Sequence, residues 1–120
     1  MSKLAFIFRH PPYGSASARE GLDALLAATA FCEEEEIAVF FFDDGLLNLL
    51  CEQQPEQILQ KDTASAFKLL DLYDIEQRYV CADSLQRFRL TPQDLLLDCR
   101  PLPRAQLLAM LQQSEKILTF

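Results

Sequence analysis

Short apolar runs alternate with longer amphipathic stretches along this chain of 120 residues. The first run ends at Arg9 and His10, before two prolines, and its unbroken apolar character is typical of a strand buried on both faces. The second run, IAVFFF, is β-branched and aromatic, and the turn-forming sequence Asp43-Asp44-Gly45 follows it. By these criteria we predict strands at residues 3–8, 37–42, 77–81, 94–99 and 116–120.

The stretches between these runs carry helix signals. Leu22, Leu25, Leu26 and Thr29 repeat at helical spacing, and the sequence SARE at residues 17–20 matches a capping box that would begin this helix. Residues 45–60, interrupted by a proline, predict one or two small helices or an ordered excursion rather than a linker. We predict further helices that begin at Asp62 or Thr63, at Asp83 or Ser84, and at Pro103, and end near Tyr73, Arg87 and Gln112.

The alternation of strands and helices determines the predicted fold class. Parallel neighbours in a sheet need a crossover long enough to hold a helix, and such crossovers are right-handed. We therefore predict an α/β three-layer sandwich, with a mainly parallel sheet of about five strands and helices on both faces. A chain of this length normally builds one hydrophobic core, so residues 1–120 should form a single domain.

Charge and hydropathy restrict the classes of molecule that this chain is expected to bind. The chain has 11 basic and 18 acidic side chains, a formal charge of -7, which opposes broad contact with nucleic-acid phosphates or anionic lipid. We therefore expect no tight, direct binding of tRNA. The N-terminal apolar run is too short for a signal peptide, and no stretch approaches a membrane span, so we expect a cytoplasmic protein with no membrane partner.

The four cysteines, Cys32, Cys51, Cys81 and Cys99, are widely spaced and form no C-x-x-C pair. That spacing is unlike a disulfide scaffold or a zinc site, so we expect free thiols and no metal. The acidic run at residues 33–36 lies between a predicted helix and a predicted strand, where a solvated loop is the simplest interpretation.

Ligands of open parallel sheets bind beyond the carboxyl ends of the strands. The predicted strands bring four groups there: Arg9 with His10, Asp43 with Asp44, Cys81, and Cys99 with Arg100. The loop after the first strand lacks the glycine patterns that cradle a pyrophosphate, so we predict no nucleotide and no other cofactor.

Cys81 is the candidate residue for sulfur chemistry. A thiol between a strand end and a helix start meets helix-terminal amides that favour the thiolate, and Arg87 and Arg89 add positive charge nearby. Pairing with His10 in a hydrolase-like dyad is a further, less favoured option. The alternative, that Cys81 is a small buried hydrophobe, is the commoner role of a free cysteine.

Four segments together resemble one known family. They are PYGSASAREGLDALLA at 12–27, AVFFFDDGLLNLL at 38–50, FKLLDLYDIEQRYVCADSL at 67–85 and ILTF at 117–120, and the third is the most specific. In these segments the chain is similar to the DsrF-like members of the DsrE/DsrF/DsrH sulfur-relay family. The similarity extends from one end of the chain to the other.

This resemblance implies a subunit that assembles with TusB-like and TusD-like subunits as a dimer of heterotrimers. In that family the complex passes persulfide sulfur, through a downstream acceptor protein, toward 2-thiolation of the wobble uridine in tRNA. The established sulfur-carrying cysteine belongs to the TusD-like subunit, and Cys81 occupies the matching place in this chain. The resemblance therefore implies a non-catalytic partner of a sulfurtransferase.

Two alternatives stay open at this stage. The chain is a sulfurtransferase that carries persulfide on Cys81 itself, or it is the DsrF-like subunit of a complex that oxidises sulfur compounds. Persulfide transfer needs an accessible thiolate but no metal or organic cofactor, so the chemistry of the residues is compatible with each of these roles.

Overall fold

A parallel sheet lies at the centre of the fold in the computed structural model, which describes residues 3–11, 14–50 and 66–120. In these residues the sheet has five strands in the order β4-β3-β2-β1-β5. All four neighbouring pairs are parallel. The strands are β1 (Leu4–Phe8), β2 (Ile37–Phe41), β3 (Gln77–Cys81), β4 (Arg100–Leu102) and β5 (Lys116–Thr119).

Helices cover both faces of this sheet, so the predicted three-layer α/β sandwich is confirmed. The α-helices of the described residues are α1 (Ser17–Ala28), α2 (Leu69–Leu72), α3 (Ala82–Arg87) and α4 (Arg104–Leu111). Short 3-10 helices occur at Glu34–Glu36, Asp43–Leu49 and Pro92–Asp94. Within the described part of the chain, no helix is both long and apolar enough to cross a membrane.

Side chains alternate between the two faces of the sheet, as the pleat of a strand requires. On the first face, Phe6, Phe8 and Phe41 pack against side chains from α1, α2 and α3. On the second face, Ala5 and Phe40 belong to a smaller core that α4 covers. Burial on both faces explains why the strands read as continuous apolar runs in the sequence.

Aromatic rings fill the centre of the first face. The ring of Phe8 stacks on Phe41 with centroids 5.4 Å apart and meets the edge of Phe67 at 5.1 Å. Phe120 stacks on the other side of Phe8 at 6.0 Å. Each such pair adds about 0.5–1.5 kcal/mol beyond the burial of apolar area, so this cluster is a major source of stability.

The order of the strands explains why the two faces are covered unequally. The connections β1 to β2, β2 to β3 and β3 to β4 all advance toward one edge, whereas β4 to β5 returns to the opposite edge. Because crossovers are right-handed, the returning connection places α4 on the face opposite to the other helices. The direction reverses between β1 and β5, which is therefore the topological switch point of the sheet.

The strand predicted at residues 94–99 is wrong. Pro92 is the first residue of a 3-10 turn at this place. Thr91 closes the turn by donating hydrogen bonds to the Asp94 carboxylate and by accepting one from the Asp94 backbone. The following Leu95 and Leu97 are buried in the first-face core, and the strand of this region begins at residue 100. The apolar run is thus explained by packing of irregular backbone, and its strand pairing is limited to one isolated antiparallel bridge between Leu95 and Leu50.

The predicted helix caps also differ from those observed. Helix α1 begins at Ser17 as predicted, but its N-cap is Ala16 and no side chain caps it. Helix α3 is capped by Cys81, so Asp83 and Ser84 lie inside its first turn, where their side chains bond other loops. The predicted start of the helix at residue 62 or 63 lies outside the described residues. Most of the 45–60 stretch also lies outside them.

Candidate functional site

A cluster of charged side chains lies beyond the carboxyl ends of β1 to β4. The segment that follows each of these strands, a loop or the start of the next helix, contributes at least one member. We define the carboxyl-edge cluster as Arg9, Asp43, Asp44, Asp83, Arg87 and Arg104, which ion pairs and hydrogen bonds connect in two groups. The prediction that Arg9, Asp43 and Asp44 lie at this edge is confirmed by their positions directly after β1 and β2.

Asp43 is the centre of this cluster. Its two carboxylate oxygens accept hydrogen bonds from the Arg104 guanidinium at 3.1 and 3.4 Å, and the Arg9 guanidinium lies 3.8 Å away. Its backbone N–H donates to Ser84 Oγ at 2.9 Å. These contacts hold Asp43 at a φ of 51°, a left-handed conformation that residues other than glycine seldom adopt.

The electrostatic effect of this pairing is mutual. Hydrogen bonds from Arg104 lower the pKa of the Asp43 carboxyl below 3.8, because they stabilise its charged form. The same bonds raise the pKa of Arg104. The pair is therefore fully ionised at neutral pH. It joins the loop after β2 to the first residue of α4.

Arg104 has three further contacts. Its guanidinium lies 5.1 Å from the ring centroid of Phe42, a cation–π distance, and its backbone N–H donates to Asp83 at 3.2 Å. The Cys81 side chain is also among the groups that raise the pKa of Arg104, after the Asp43 carboxylate. Arg104 therefore connects Asp43 and Asp83 within the carboxyl-edge cluster, and it also interacts with the Cys81 side chain.

Cys81 is the last residue of β3 and is fully buried. It faces Leu102 across the β3–β4 pair, and it belongs to the second-face core with Phe40 and Leu107. This is the environment that the buried-hydrophobe interpretation expects. An attacking group in solvent has no path to this sulfur while its surroundings keep the arrangement described.

Cys99 and Arg100 are not at the predicted edge of the sheet. Arg100 begins β4, so both residues lie at the amino end of that strand, whereas Arg104 follows its carboxyl end. Cys99 is buried, and burial raises the pKa of its thiol to about 12. The side chain therefore stays protonated at physiological pH and has a structural role.

A shallow pocket of about 160 Å³ opens at the switch point between β1 and β5. Its volume is below the roughly 300–1,000 Å³ of pockets that enclose small-molecule ligands. The lining is mainly apolar, with two guanidinium groups at the rim, and consists of Ile7, Arg9, Phe42, Arg104, Leu108, Leu111 and Thr119.

Close backbone contact joins the loops after β1 and β2. A Cβ atom at Gly45 would lie only 1.8 Å from the carbonyl oxygen of Phe8, so only glycine fits there. The buried Asn48 amide donates to the carbonyl oxygens of His10 and Gly45, both at 2.9 Å. His10 itself is exposed and takes part through its backbone carbonyl oxygen.

The acidic run at residues 33–36 is confirmed as a solvated segment. Glu34–Glu36 forms a single 3-10 turn, which the Glu36 carboxylate closes by accepting the Glu33 backbone N–H at 2.9 Å. The carboxylates of Glu33, Glu34 and Glu35 are exposed and face solvent.

Sequence reasoning missed Arg104 and the switch-point pocket. Because the fourth strand is predicted to end at residue 99, the prediction assigns Cys99 and Arg100 to the carboxyl edge and places Arg104 only in the helix that begins at Pro103. The strand in fact ends at Leu102, so the start of that helix is the segment that lies at the edge. The pocket depends on which strand lies beside β1, and that order is a tertiary property.

Comparison with known proteins identifies the family. The DsrE/DsrF-like family matches residues 2–120 of the chain. The chain belongs to the DsrE/DsrF-like family. A TusC homolog of Pasteurella multocida is 60% identical to this family member over 98% of the chain and 99% of the relative. The TusC protein of Escherichia coli O157:H7 is 46% identical and covers 100% of both.

A solved structure supports the fold of this DsrE/DsrF-like protein. The crystal structure of the YchN protein from E. coli superposes with a TM-score of 0.79, covers 100% of both chains and is 19% identical. At that identity the likeness bears on the fold alone. The resemblance predicted from the sequence is confirmed by the family match and the TusC relatives, which also support the general role of a sulfur-relay subunit.

Proposed function

We propose that this chain is a non-catalytic subunit of a sulfur-relay complex that serves 2-thiolation of the wobble uridine in tRNA. In this role it assembles with TusB-like and TusD-like subunits as a dimer of heterotrimers in the cytoplasm. The TusD-like subunit carries the persulfide and hands it to a downstream acceptor protein. Relatives named TusC over the whole chain support this assignment.

The full burial of Cys81 is the observation that favours a structural role. Persulfide relay requires that a thiolate meet the sulfur of a donor and then that of an acceptor, so the carrier must be accessible. In this chain the sulfur lies within the second-face core, next to Arg104. A scaffold role does not require the thiol to be accessible.

The charge of the chain fits the same assignment. A formal charge of -7 repels the phosphates of tRNA, so another component of the complex is expected to hold the nucleic acid. In a filter-binding titration of the isolated subunit at physiological salt, we expect no sub-micromolar binding of tRNA. Tight, salt-sensitive binding would contradict this part of the proposal.

The decisive experiment is Cys81→Ser in the assembled complex. Two quantities are measured: the level of 2-thiolated tRNA in cells, and persulfide adducts on this chain by mass spectrometry. We expect thiolation to persist and no adduct to form on residue 81. Cys99→Ser is the matched control, because it makes the same change at a second buried thiol on the opposite face.

A second candidate function, in which this chain carries sulfur itself, is supported by the place of Cys81 at the carboxyl end of β3, where the Arg104 guanidinium interacts with its side chain. In that reaction the Cys81 thiolate attacks the outer sulfur of a donor persulfide. The donor leaves as a thiolate, and Cys81 becomes the persulfide. Loss of tRNA thiolation in Cys81→Ser, with the complex intact, would establish this function in place of the scaffold role.

A third candidate, a subunit of a sulfur-oxidation complex, shares the family and differs in its pathway. Purification of the native protein together with its bound subunits separates the two pathways, since the acceptor protein that accompanies them differs. Cells that lack this chain provide a second test. We expect them to lose 2-thiouridine while their oxidation of inorganic sulfur compounds is unchanged.

A further inference from the structure

Helix α4 covers the core that contains Cys81, but apolar burial holds only part of this helix. Two of its eight residues, Leu107 and Leu111, are buried, and both belong to the same core as Cys81. In the first turn, Arg104 is partly buried and the next two residues are exposed. Contacts other than apolar burial must therefore hold the start of α4 against the sheet.

The start of α4 lacks the local features that stabilise a helix N-terminus. Its N-cap is Pro103, whose side chain cannot accept a hydrogen bond from the first turn. Its first residue is Arg104, and a cation is unfavourable at the positive end of a helix dipole. Carboxylates from distant segments compensate. Asp83 accepts the Arg104 backbone N–H, and Asp43 accepts two hydrogen bonds from its guanidinium.

We define the α4 latch as Asp43, Asp83 and Arg104. These residues tie the loop after β2 and the first turn of α3 to the first turn of α4. Asp83 lies two residues beyond Cys81, so the latch closes over the end of β3. The Arg104 guanidinium also lies over the ring of Phe42, a member of the same core, and interacts with the Cys81 side chain.

The contacts of the latch are individually weak. The Asp43 side chain is 26% exposed and that of Arg104 is 40% exposed, and Asp83 is exposed. A polar contact of this exposure changes an equilibrium by at most about a factor of five. Elements held in this way open at a lower free energy than a packed core, so α4 should open locally before the first-face core does.

We propose that release of the α4 latch moves the first turn of α4 away from the sheet and exposes the Cys81 thiol while the rest of the fold stays intact. The inference concerns access to this thiol and goes beyond the proposed function, since a scaffold and a sulfur carrier could both contain the device. Cys99 lies in the larger first-face core, so it should become accessible only when the whole fold opens.

The test measures the rates at which iodoacetamide modifies Cys81 and Cys99 in the full wild-type chain. Urea is varied below the midpoint of unfolding, and peptide mass spectrometry follows each thiol. Local opening exposes little surface, so its rate rises little with urea, whereas a rate limited by global unfolding rises steeply. Without urea we expect Cys81 to react at least about tenfold faster than Cys99. Equal rates with equal urea dependence would overturn the proposal.

Arg104→Gln releases the latch, and Arg19→Gln is the matched control. Arg19 makes one exposed ion pair, with Asp23 on α1, so the control removes the same charge away from α4. We expect Arg104→Gln to raise the rate at Cys81 about three- to tenfold and Arg19→Gln to change it less than about twofold. Since the thiol reacts from the opened form, loss of the guanidinium should not alter its intrinsic reactivity. No increase at Cys81, or an equal increase at Cys99, would overturn the latch.

Hydrogen exchange of the same proteins locates the opening. We expect the amides of α4 to exchange faster than those of α1 in the wild type, and faster still in Arg104→Gln, while the exchange of α1 is unchanged. If α4 is protected as strongly as α1 while Cys81 reacts quickly, the reagent reaches the sulfur by another route and the latch is wrong. None of these measurements depends on tRNA thiolation, so their failure would leave the proposed function standing.

Discussion

The two faces of the sheet share one backbone but differ in the helices and side chains that pack on them. The first face is covered by α1, α2 and α3, and aromatic rings fill its centre. Within the described residues the second face has a smaller core under a single helix, α4, and ion pairs hold the segments at its carboxyl end. The comparison indicates that the first face supplies most of the stability.

Two adjacent phenylalanines allow the sharpest test of this difference. Phe41 and Phe40 are both buried, but Phe41 contacts the rings of Phe8 and Phe67, whereas Phe40 stacks on the partly exposed Tyr79. Truncation of a buried phenylalanine costs about 3–5 kcal/mol. We expect Phe41→Ala to lie at the top of this range and Phe40→Ala at the bottom, as measured by urea denaturation.

The same pair of variants can also contradict the conclusion that the first face supplies most of the stability. If Phe40→Ala lowers the free energy of unfolding as much as Phe41→Ala does, the two faces contribute equally to stability. The difference in the number of helices that cover them then has no energetic consequence. A parallel measurement on the assembled complex would sharpen the result. A partner that covers the second face should protect Phe40→Ala more than it protects Phe41→Ala.

Asp43→Asn gives a smaller effect of a different kind. The substitution removes the charge that Arg104 and Arg9 share, and we expect a loss of about 1 kcal/mol, because partly exposed ion pairs contribute little. Since the native pKa of Asp43 is lowered, its contribution is present above pH 4 and is lost as acid protonates the native carboxyl.

The measurement is the free energy of unfolding of wild type and Asp43→Asn between pH 7 and pH 3. We expect the two curves to converge at the acid end. Asp44→Asn is the control, since Asp44 makes one exposed contact with Arg87 at 3.6 Å, and it should change the stability by less than about 0.5 kcal/mol. Curves that stay parallel down to pH 3 would show that the Asp43 pair does not titrate as described.

Two thiols of the first-face core, Cys32 and Cys99, give the smallest expected change, which is measured as a rate. Cys99 lies in the first-face core with its pKa raised to about 12, and Cys32 is only partly buried. At pH 8 we expect iodoacetamide to modify Cys32 first and to leave Cys99 unmodified in the folded chain. Peptide mass spectrometry at successive times would establish the order.

The pH dependence of Cys99 follows from the direction of its shift. A thiol whose native pKa is raised keeps its proton in the folded state, so its contribution is complete below pH 9 and declines as pH rises toward 12. We expect Cys99→Ala to lose part of the alkaline sensitivity of the wild type. An alkaline transition that is identical in the two proteins would contradict this.

Access to Cys81 tests the second face directly. Arg104 lies beside this thiol and is held by Asp43, so we expect Asp43→Asn to raise the rate of Cys81 alkylation while Cys99 stays unmodified. Asp43→Glu retains a carboxylate and should restore much of the protection. If Cys81 and Cys99 gain reactivity together, the variant acts through general loosening of the fold.

Much of the fold could be predicted from the sequence, because burial on both faces leaves a strong apolar pattern. Strands β1, β2, β3 and β5 fall within the predicted runs. The fourth strand was misplaced because Leu95 and Leu97 are apolar for packing, a cause that hydropathy does not distinguish from strand formation. Caps were mispredicted because Asp83 and Ser84 bond other loops, and such partners are distant in sequence.

The candidate site was harder to predict than the fold. Local turn chemistry identified Asp43 as a loop residue, but its ion pair with Arg104 joins segments that are far apart in the chain. The sequence left open whether the Cys81 side chain is exposed or buried. In the structure it is buried within the small second-face core. Sequence patterns report which side chains avoid water, whereas the site depends on which loops meet.

The pairing of β1 with β5 has a consequence for the order of folding. Strand β1 pairs with β2 on one side and with β5 on the other, where Leu4 lies opposite Lys116. Contacts so distant in sequence form slowly, so β5 should join last and leave β1 as a temporary edge strand. An open edge of this kind can template pairing with other chains, which makes chaperone dependence an expected property of the nascent protein. In pulse-labelling hydrogen exchange, the amides of β5 should gain protection after those of β2.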